Sequence, residues 1–184
     1  MSTKKKKRDF LIKIAILGDA GVGKTSLVNQ FVESSFKEDY RATLGTNIVI
    51  KNIELPQIDS KVRLILWDIA GQDAYEKTRS AYYEGCAGAL LVYDITRYSS
   101  FDNIEAKWLR DYKDHVEKQQ SYILIGNKAD LEDQRGVFKE DGKKYAEKIN
   151  AIEFLETSAK SGYNVEVAFL NLVKKILSGY GVNW

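Results

Sequence analysis

The sequence is poor in cysteine, proline and histidine, with one of each, and it has no long apolar run. The single cysteine, Cys86, excludes an internal disulfide framework and fits a reducing compartment. It lies between Gly85 and Ala87 in an apolar stretch with no histidine nearby, so it reads as a small packing residue and not a nucleophile. His115 falls in the charged run Asp111-Tyr112-Lys113-Asp114-His115 and reads as a solvated helix residue. Pro56 belongs to a loop between two strand-like runs. No apolar run approaches the ~18–20 residues that span a bilayer. The longest, Ala87 to Tyr93, has the length of a buried strand. The chain opens with lysines and shows no secretory h-region, so a cytoplasmic protein is expected, with peripheral membrane contact left open.

What is present is an ordinary globular composition, 44% hydrophobic and 29% charged over 184 residues, which fits one domain. Lys4, Lys5, Lys6, Lys7 and Arg8 supply five positive charges, so a net charge of +2 leaves −3 for the rest. The basic character therefore sits in an arm, residues 1–9, ahead of a domain at 10–178 and a short tail at 179–184. The arm reads either as a solvated tail or as a weak contact with anionic membrane. At ~1 kcal/mol per basic residue it supplies at most ~5 kcal/mol, which is marginal without a second anchor. Ser2 in place of Gly argues against myristoylation, and there is no C-terminal cysteine to prenylate. Nucleic acid is not expected as a partner, because no aromatic or basic face accompanies the arm. A monomer is expected.

Strand-length apolar runs alternate with helical patterns. Phe10 to Leu17, Asn47 to Ile53, Lys61 to Trp67, Ala87 to Asp94, Tyr122 to Asn127 and Ala151 to Thr157 read as strands. In the third, Val62, Leu64 and Leu66 share one face with Lys61 and Arg63 on the other, an alternation that suggests a hairpin with the second at a sheet edge. The fourth and fifth are nearly continuous apolar runs, as in central parallel strands buried on both faces. Helical spacing recurs at Leu27, Val28, Phe31 and Val32, then at Phe101, Ile104, Trp108, Leu109 and Tyr112, where Ser99 or Ser100 is the expected cap. Lys139 to Ile149 is a more polar helix, and Val165, Phe169, Leu172, Val173 and Ile176 stripe the last one. This βαββαβαβαβα order implies an α/β fold. It has one six-stranded, mostly parallel sheet with one antiparallel edge strand, and five helices on both faces.

Sites in such sheets lie beyond the carboxyl ends of the strands. After the first strand comes Gly18-Asp19-Ala20-Gly21-Val22-Gly23-Lys24-Thr25, which fits G-x-x-x-x-G-K-[ST] between a strand and a helix. The glycines let the backbone curl so that successive N–H groups form an anion nest at the helix N-terminus. Asp19, Ala20, Gly21, Val22, Gly23, Lys24, Thr25 and Ser26 are thus the candidate phosphate cradle. Lys24 would neutralise β- and γ-phosphates, and the Thr25 hydroxyl would bind Mg²⁺. A Gly-rich turn alone is the rival, and eight matched positions in this context outweigh it.

Three further motifs follow strand ends. In Trp67-Asp68-Ile69-Ala70-Gly71-Gln72, Asp68 can reach Mg²⁺ directly or through water, Gly71 can offer its N–H to a γ-phosphate, and Gln72 can orient an attacking water. In Asn127-Lys128-Ala129-Asp130, the Asp130 carboxylate can accept from the N1–H and exocyclic amine of guanine, which adenine cannot match. Asn127 would tie this loop to the phosphate loop, with the Lys128 stem along the base plane. Thr157-Ser158-Ala159-Lys160 could bring a backbone N–H to guanine O6.

With these motifs in order, the chain from Phe10 to Leu177 resembles the Ras superfamily of small GTPases, most closely the Rab branch, with a single P-loop NTPase (G) domain. The resemblance implies a GTP/GDP switch with Mg²⁺ as cofactor and effector, exchange-factor and GTPase-activating proteins as partners. It implies further residues too: Phe36 against the base, Tyr40 over the phosphates, and Thr43 on Mg²⁺ and γ-phosphate. The switch segments would run from about Phe36 to Asn47 and from Ala70 to Ser80. Rab-like features include Tyr82-Tyr83-x-Gly85 and Tyr93-Asp94-Ile95-Thr96. Departures include Ile48 where Rabs usually carry Phe in an aromatic trio with Trp67 and Tyr82. Ile69 replaces Thr, and Ala20 stands where Gly or Ser is usual. The tail without a prenylation cysteine leaves open whether the chain is truncated or uses no Rab-type membrane cycle.

The expected chemistry is slow hydrolysis of GTP to GDP and phosphate, with Lys24 and Gln72 catalytic and Thr25, Thr43 and Asp68 (through water) on the metal. No arginine is placed by these motifs to act in cis, so a partner would supply the missing charge. Two alternatives stand beside it: a nucleotide-bound scaffold with little turnover, and another P-loop ATPase or phosphotransferase.

Overall fold

A computed structural model of the chain describes residues 9–34, 46–70, 81–116 and 121–182. The basic arm up to residue 8, the positions Phe36, Tyr40, Thr43, Gly71 and Gln72, and the end of the tail lie outside these described residues.

Six strands form one sheet: β1 Asp9–Leu17, β2 Thr46–Leu55, β3 Ser60–Ile69, β4 Gly88–Asp94, β5 Ser121–Asn127 and β6 Phe154–Thr157. Their spatial order is β2-β3-β1-β4-β5-β6, with β2 antiparallel to β3 and every other pairing parallel. The expected edge hairpin is there, with strands longer than the alternation suggested. Pro56–Ile58 forms one 3-10 turn, and Asp59 follows in the left-handed region, so pairing runs from Thr46↔Ile69 down to Leu55↔Ser60. The chain leaves β1 towards β3 on one side and returns to β4 on the other. That reversal opens a crevice at the carboxyl end of β1.

The helices are α1 Lys24–Glu33, α2, α3 Lys139–Lys148 and α4 Val165–Gly179. Helix α2 runs through three consecutive segments, Tyr98–Asn103, the π-helical Ile104–Leu109 and Arg110–His115. Residues 81–83 are also helical, in the interval where the element order places a helix between β3 and β4. Strand β1 shows why two layers form. Ile12, Ile14 and Ile16 face α1 and α4, while Ala15 and Leu17 face α2 and α3. On the first side the Phe31 and Phe169 rings stack with centroids 4.2 Å apart, an arrangement worth about 0.5–1.5 kcal/mol beyond area burial. On the second, Trp108, Tyr112, Tyr83 and Tyr93 are all fully buried.

Two local expectations change. Strand β6 starts at Phe154, not Ala151: Ala151 N–H still bonds Ala146 O of α3, and residues 152 and 153 make only isolated bonds to β5, Ile152 N–H to Tyr122 O and Leu124 N–H to Glu153 O. Helix α2 starts at Tyr98, so neither Ser99 nor Ser100 caps it. Ser100 turns inward, where its hydroxyl donates to Arg97 O at 2.7 Å and accepts from Asp94 N–H at 3.0 Å, a bond that ties the helix to the end of β4.

Cys86 is 3% exposed, and burial pushes its thiol up to about 11. Between pH 9 and 11 the unfolded chain would release this proton and the folded chain would keep it, so this group lowers stability as pH rises through that window. The native protein is expected to resist iodoacetamide at pH 8 and to react only on unfolding. Stoichiometric labelling within minutes under native conditions would contradict the burial.

Candidate functional site

The Gly18–Thr25 loop occupies the crevice at β1. At Gly18, φ is +148° and an added Cβ would lie 2.1 Å from the Val92 carbonyl oxygen; at Gly23, φ is +98° and a Cβ would lie 2.3 Å from Asn127 Nδ2. Only glycine fits either place. Gly23 caps α1 in the left-handed region with no side-chain bond to the helix terminus, and the dipole at that end of a helix favours an anion. Lys24 is 6% exposed, its ammonium donating to the carbonyls of Gly18 at 2.7 Å and Asp19 at 2.9 Å. Burial pushes it down to about 8, against the pull of Asp68 and Asp19. A buried ammonium held on two backbone oxygens gains most from an anion laid across the loop. Ser26 follows within the first turn of α1.

Asp68, at the end of β3, is fully buried, and its Oδ2 accepts the Thr25 hydroxyl at 2.5 Å. Burial raises the carboxyl's pKa, opposed by the Thr25 bond and the Lys24 charge. Among the described residues its second oxygen, Oδ1, is buried with no hydrogen-bond partner. A hydroxyl beside a carboxylate with an orphaned oxygen is the hard, all-oxygen donor set that Mg²⁺ takes together with waters and phosphate oxygens. Among the described residues no three acidic, His or Cys side chains gather into a metal cage, so such an ion would depend on a ligand for part of its shell.

Asn127, at the end of β5, is 1% exposed and joins three loops. Its Nδ2 donates to Val22 O at 2.8 Å, while its Oδ1 accepts from the Thr157 hydroxyl at 3.1 Å and from Ala159 N–H at 3.2 Å. Asp130 stands exposed at the mouth, with Oδ1 accepting the Ser158 hydroxyl at 2.6 Å. Lys128 adopts the left-handed region with φ 71°, and its ammonium pairs with Asp94 at 2.6 Å. Its head is thereby anchored, and its stem bridges from β5 to the end of β4. Lys160 is exposed beside Ala159. The described members of the four motifs thus meet on one rim of the sheet.

Beyond that rim, Ile48 lies opposite Trp67 across the β2–β3 ladder and is 51% exposed. The Trp67 and Tyr82 rings approach to 5.5 Å, so the aromatic-trio positions form one surface.

Three residues at the phosphate loop escaped the motifs. Arg97 Nη2 donates to Ala20 O at 2.8 Å, so one arginine of the chain does lie on this loop. Trp108 Nε1 and Asn103 Nδ2 each donate at 2.7 Å to a different oxygen of Asp19. Trp108 was legible only as a core position of α2. The available signal was chemical: a buried indole N–H needs an acceptor.

The family model described as "Ras family" matches residues 13–178. The chain is 43% identical over 169 residues to "Ras-related protein RABA1g" of Arabidopsis thaliana, covering 91% of this chain and 76% of that protein. It is 44% identical over 170 residues to "Ras-related protein Rab-8B" of Homo sapiens, covering 92% and 80%. It is 43% identical over 173 residues to "Ras-related protein Rab-10" of Diplobatis ommata, covering 94% and 84%.

Proposed function

Because the chain belongs to the Ras family of small GTPases, on its Rab branch, we propose that it is a trafficking-type regulator switched between GTP and GDP through the loops gathered on this rim. It hydrolyses GTP to GDP and phosphate. The observation that carries the assignment of roles is the Asn127 side chain, which fastens the phosphate loop at Val22 to the 157–159 loop. Base-reading and phosphate-holding parts are thereby set at a fixed separation, as one nucleotide requires.

Asp130 accepts from guanine N1–H and the exocyclic amine, with the Lys128 stem along the ring and a backbone N–H of the Ser158-Ala159-Lys160 turn towards the base oxygen. Phe36 and Tyr40 close over base and phosphates. Lys24 neutralises phosphate charge, Gly71 N–H meets the γ-phosphate, and Gln72 turns a water into line. Thr25 and Thr43 would hold Mg²⁺, with Asp68 acting through a water. When bound, that ion supplies positive charge where negative charge builds at the β–γ bridge. Arg97 is committed to the outer face of the loop, so hydrolysis stays slow until a partner supplies further charge. The methyl of Ala20 would narrow the approach of an activator's arginine. Ile48, Trp67 and Tyr82 offer the effector surface, and the basic arm adds weak attraction to anionic lipid. No helix among the described residues is long and apolar enough to cross a membrane.

The test is to load ligand-free protein with GTP or ATP and follow a single turnover. GTP is expected to bind far more tightly than ATP and to turn over slowly. Gln72→Leu is expected to bind GTP normally and hydrolyse it at least 10²-fold more slowly, the lower range for loss of a group that manages a proton or water. Equal affinity for ATP would point to the phosphotransferase alternative. No turnover in the unsubstituted chain would point to the scaffold.

A further inference from the structure

Resting on that reading of the site, we propose that Arg97, Asn103 and Trp108 are positioning residues for the nucleotide, holding the outer side of the Gly18–Thr25 loop so that its N–H groups stay turned towards phosphate. Both oxygens of the Asp19 carboxylate are gripped, Oδ1 by Trp108 Nε1 and Oδ2 by Asn103 Nδ2, each at 2.7 Å. The next carbonyl, Ala20 O, takes the Arg97 guanidinium at 2.8 Å, and Arg97 Nη1 stands 4.0 Å from where a Cβ on Gly21 would lie. All the donors come from one stretch, the turn after β4 and the first two segments of α2.

Peptide geometry gives the grip its consequence. Every described peptide bond is trans, so the C=O and N–H of one peptide unit point to opposite sides. A donor on Ala20 O from outside the loop therefore directs the Gly21 N–H the other way. The same bond polarises the peptide and strengthens that N–H as a donor to an anion. Because the donor is a guanidinium, the bond is of the stronger, charge-assisted kind.

The π-helical segment explains how two side chains five residues apart reach one carboxylate. At 3.6 residues per turn, positions 103 and 108 would stand about 140° apart around an α-helix. The wider i→i+5 winding of Ile104–Leu109 brings them back to the same face. The irregular turn thus lies at the point where α2 meets the phosphate loop, and it sets both the Asn103 amide and the Trp108 indole against Asp19.

The test reads release of GDP bearing an N-methylanthraniloyl fluorophore, chased with unlabelled GDP from the full chain. Trp108→Phe and Arg97→Met are each expected to speed release about tenfold, the scale of one buried or charge-assisted bond. Asn103→Ser, at a half-buried position where folding is not at issue, is expected to speed it several-fold. In an Asp19→Ala background, Trp108→Phe and Asn103→Ser should add nothing, since their shared acceptor is gone, while Arg97→Met should still act. A residue that only packs would not show that dependence. Release at the unsubstituted rate from Arg97→Met and Asn103→Ser overturns the proposal alone, as do full additive effects on Asp19→Ala. Failure of the unsubstituted chain to retain GDP overturns the site reading and the proposal together.

Discussion

Asp130→Asn is expected to lower affinity for GTP by roughly 10⁴-fold and to raise affinity for xanthosine triphosphate, the scale by which a site with a dedicated hydrogen-bond partner rejects a ligand that cannot match it. The carboxylate is acceptor-only, and guanine offers it two donors. The amide keeps one acceptor and places an NH₂ against the exocyclic amine, so one contact becomes a clash of donors. Xanthine carries an oxygen there and restores the match. The geometry makes the effect specific to the base, because Asp130 stands at the mouth of the site and its Oδ1 is already oriented by the Ser158 hydroxyl at 2.6 Å. Stability should barely change, since the side chain is exposed. Competition binding with guanosine, xanthosine and adenosine triphosphates is the measurement, and an unaltered order of preference would refute the base assignment.

Asn127→Leu is expected to act differently, damaging fold and site together. Leucine fills similar volume but leaves Val22 O, the Thr157 hydroxyl and Ala159 N–H without their partner. Each buried group so orphaned costs about 1–3 kcal/mol. Relaxation and water entry will recover part of this, leaving about 3 kcal/mol, or roughly 6–12 °C in Tm for a domain of this size. The phosphate loop also loses its tie to the base loop, so GDP release should accelerate by at least 10²-fold, the same free energy expressed as a rate. Urea unfolding and nucleotide release on the same preparation check both halves. A variant that loses stability but releases GDP at the unsubstituted rate would show Asn127 to be a packing residue only.

Helix α2 shows where reading the chain ran short. The apolar spacing of Ile104, Trp108, Leu109 and Tyr112 marked a helix correctly, and all four are buried. Yet that spacing assumes one winding throughout, and the π segment differs by less than a residue per turn, too little to disturb a pattern of four positions. The misplaced cap has a related cause. Serine caps helices by turning its hydroxyl to the first-turn N–H groups, whereas Ser100 lies inside the helix and is 0% exposed, its hydroxyl taken by Asp94 N–H at the end of β4. A sequence carries no record of that neighbour.

The chain's own residues were enough to mark which groups gather on the rim. Glycines at Gly18 and Gly23, the Lys24-Thr25 pair, Asp68 and the Asn127-x-x-Asp130 spacing act through local backbone geometry, and local geometry is written in consecutive residues. The alternation of apolar and polar positions likewise determined the sheet and its antiparallel edge, because side-chain direction along a strand has a fixed period. What only the tertiary structure decided was which distant groups meet: Asp19 with Asn103 and Trp108, Ala20 with Arg97, Lys128 with Asp94. These partners are separated by tens of residues, and their meeting depends on the order of strands and the winding of one helix. Such contacts arise from the packing of whole elements, a property that no short stretch of sequence encodes.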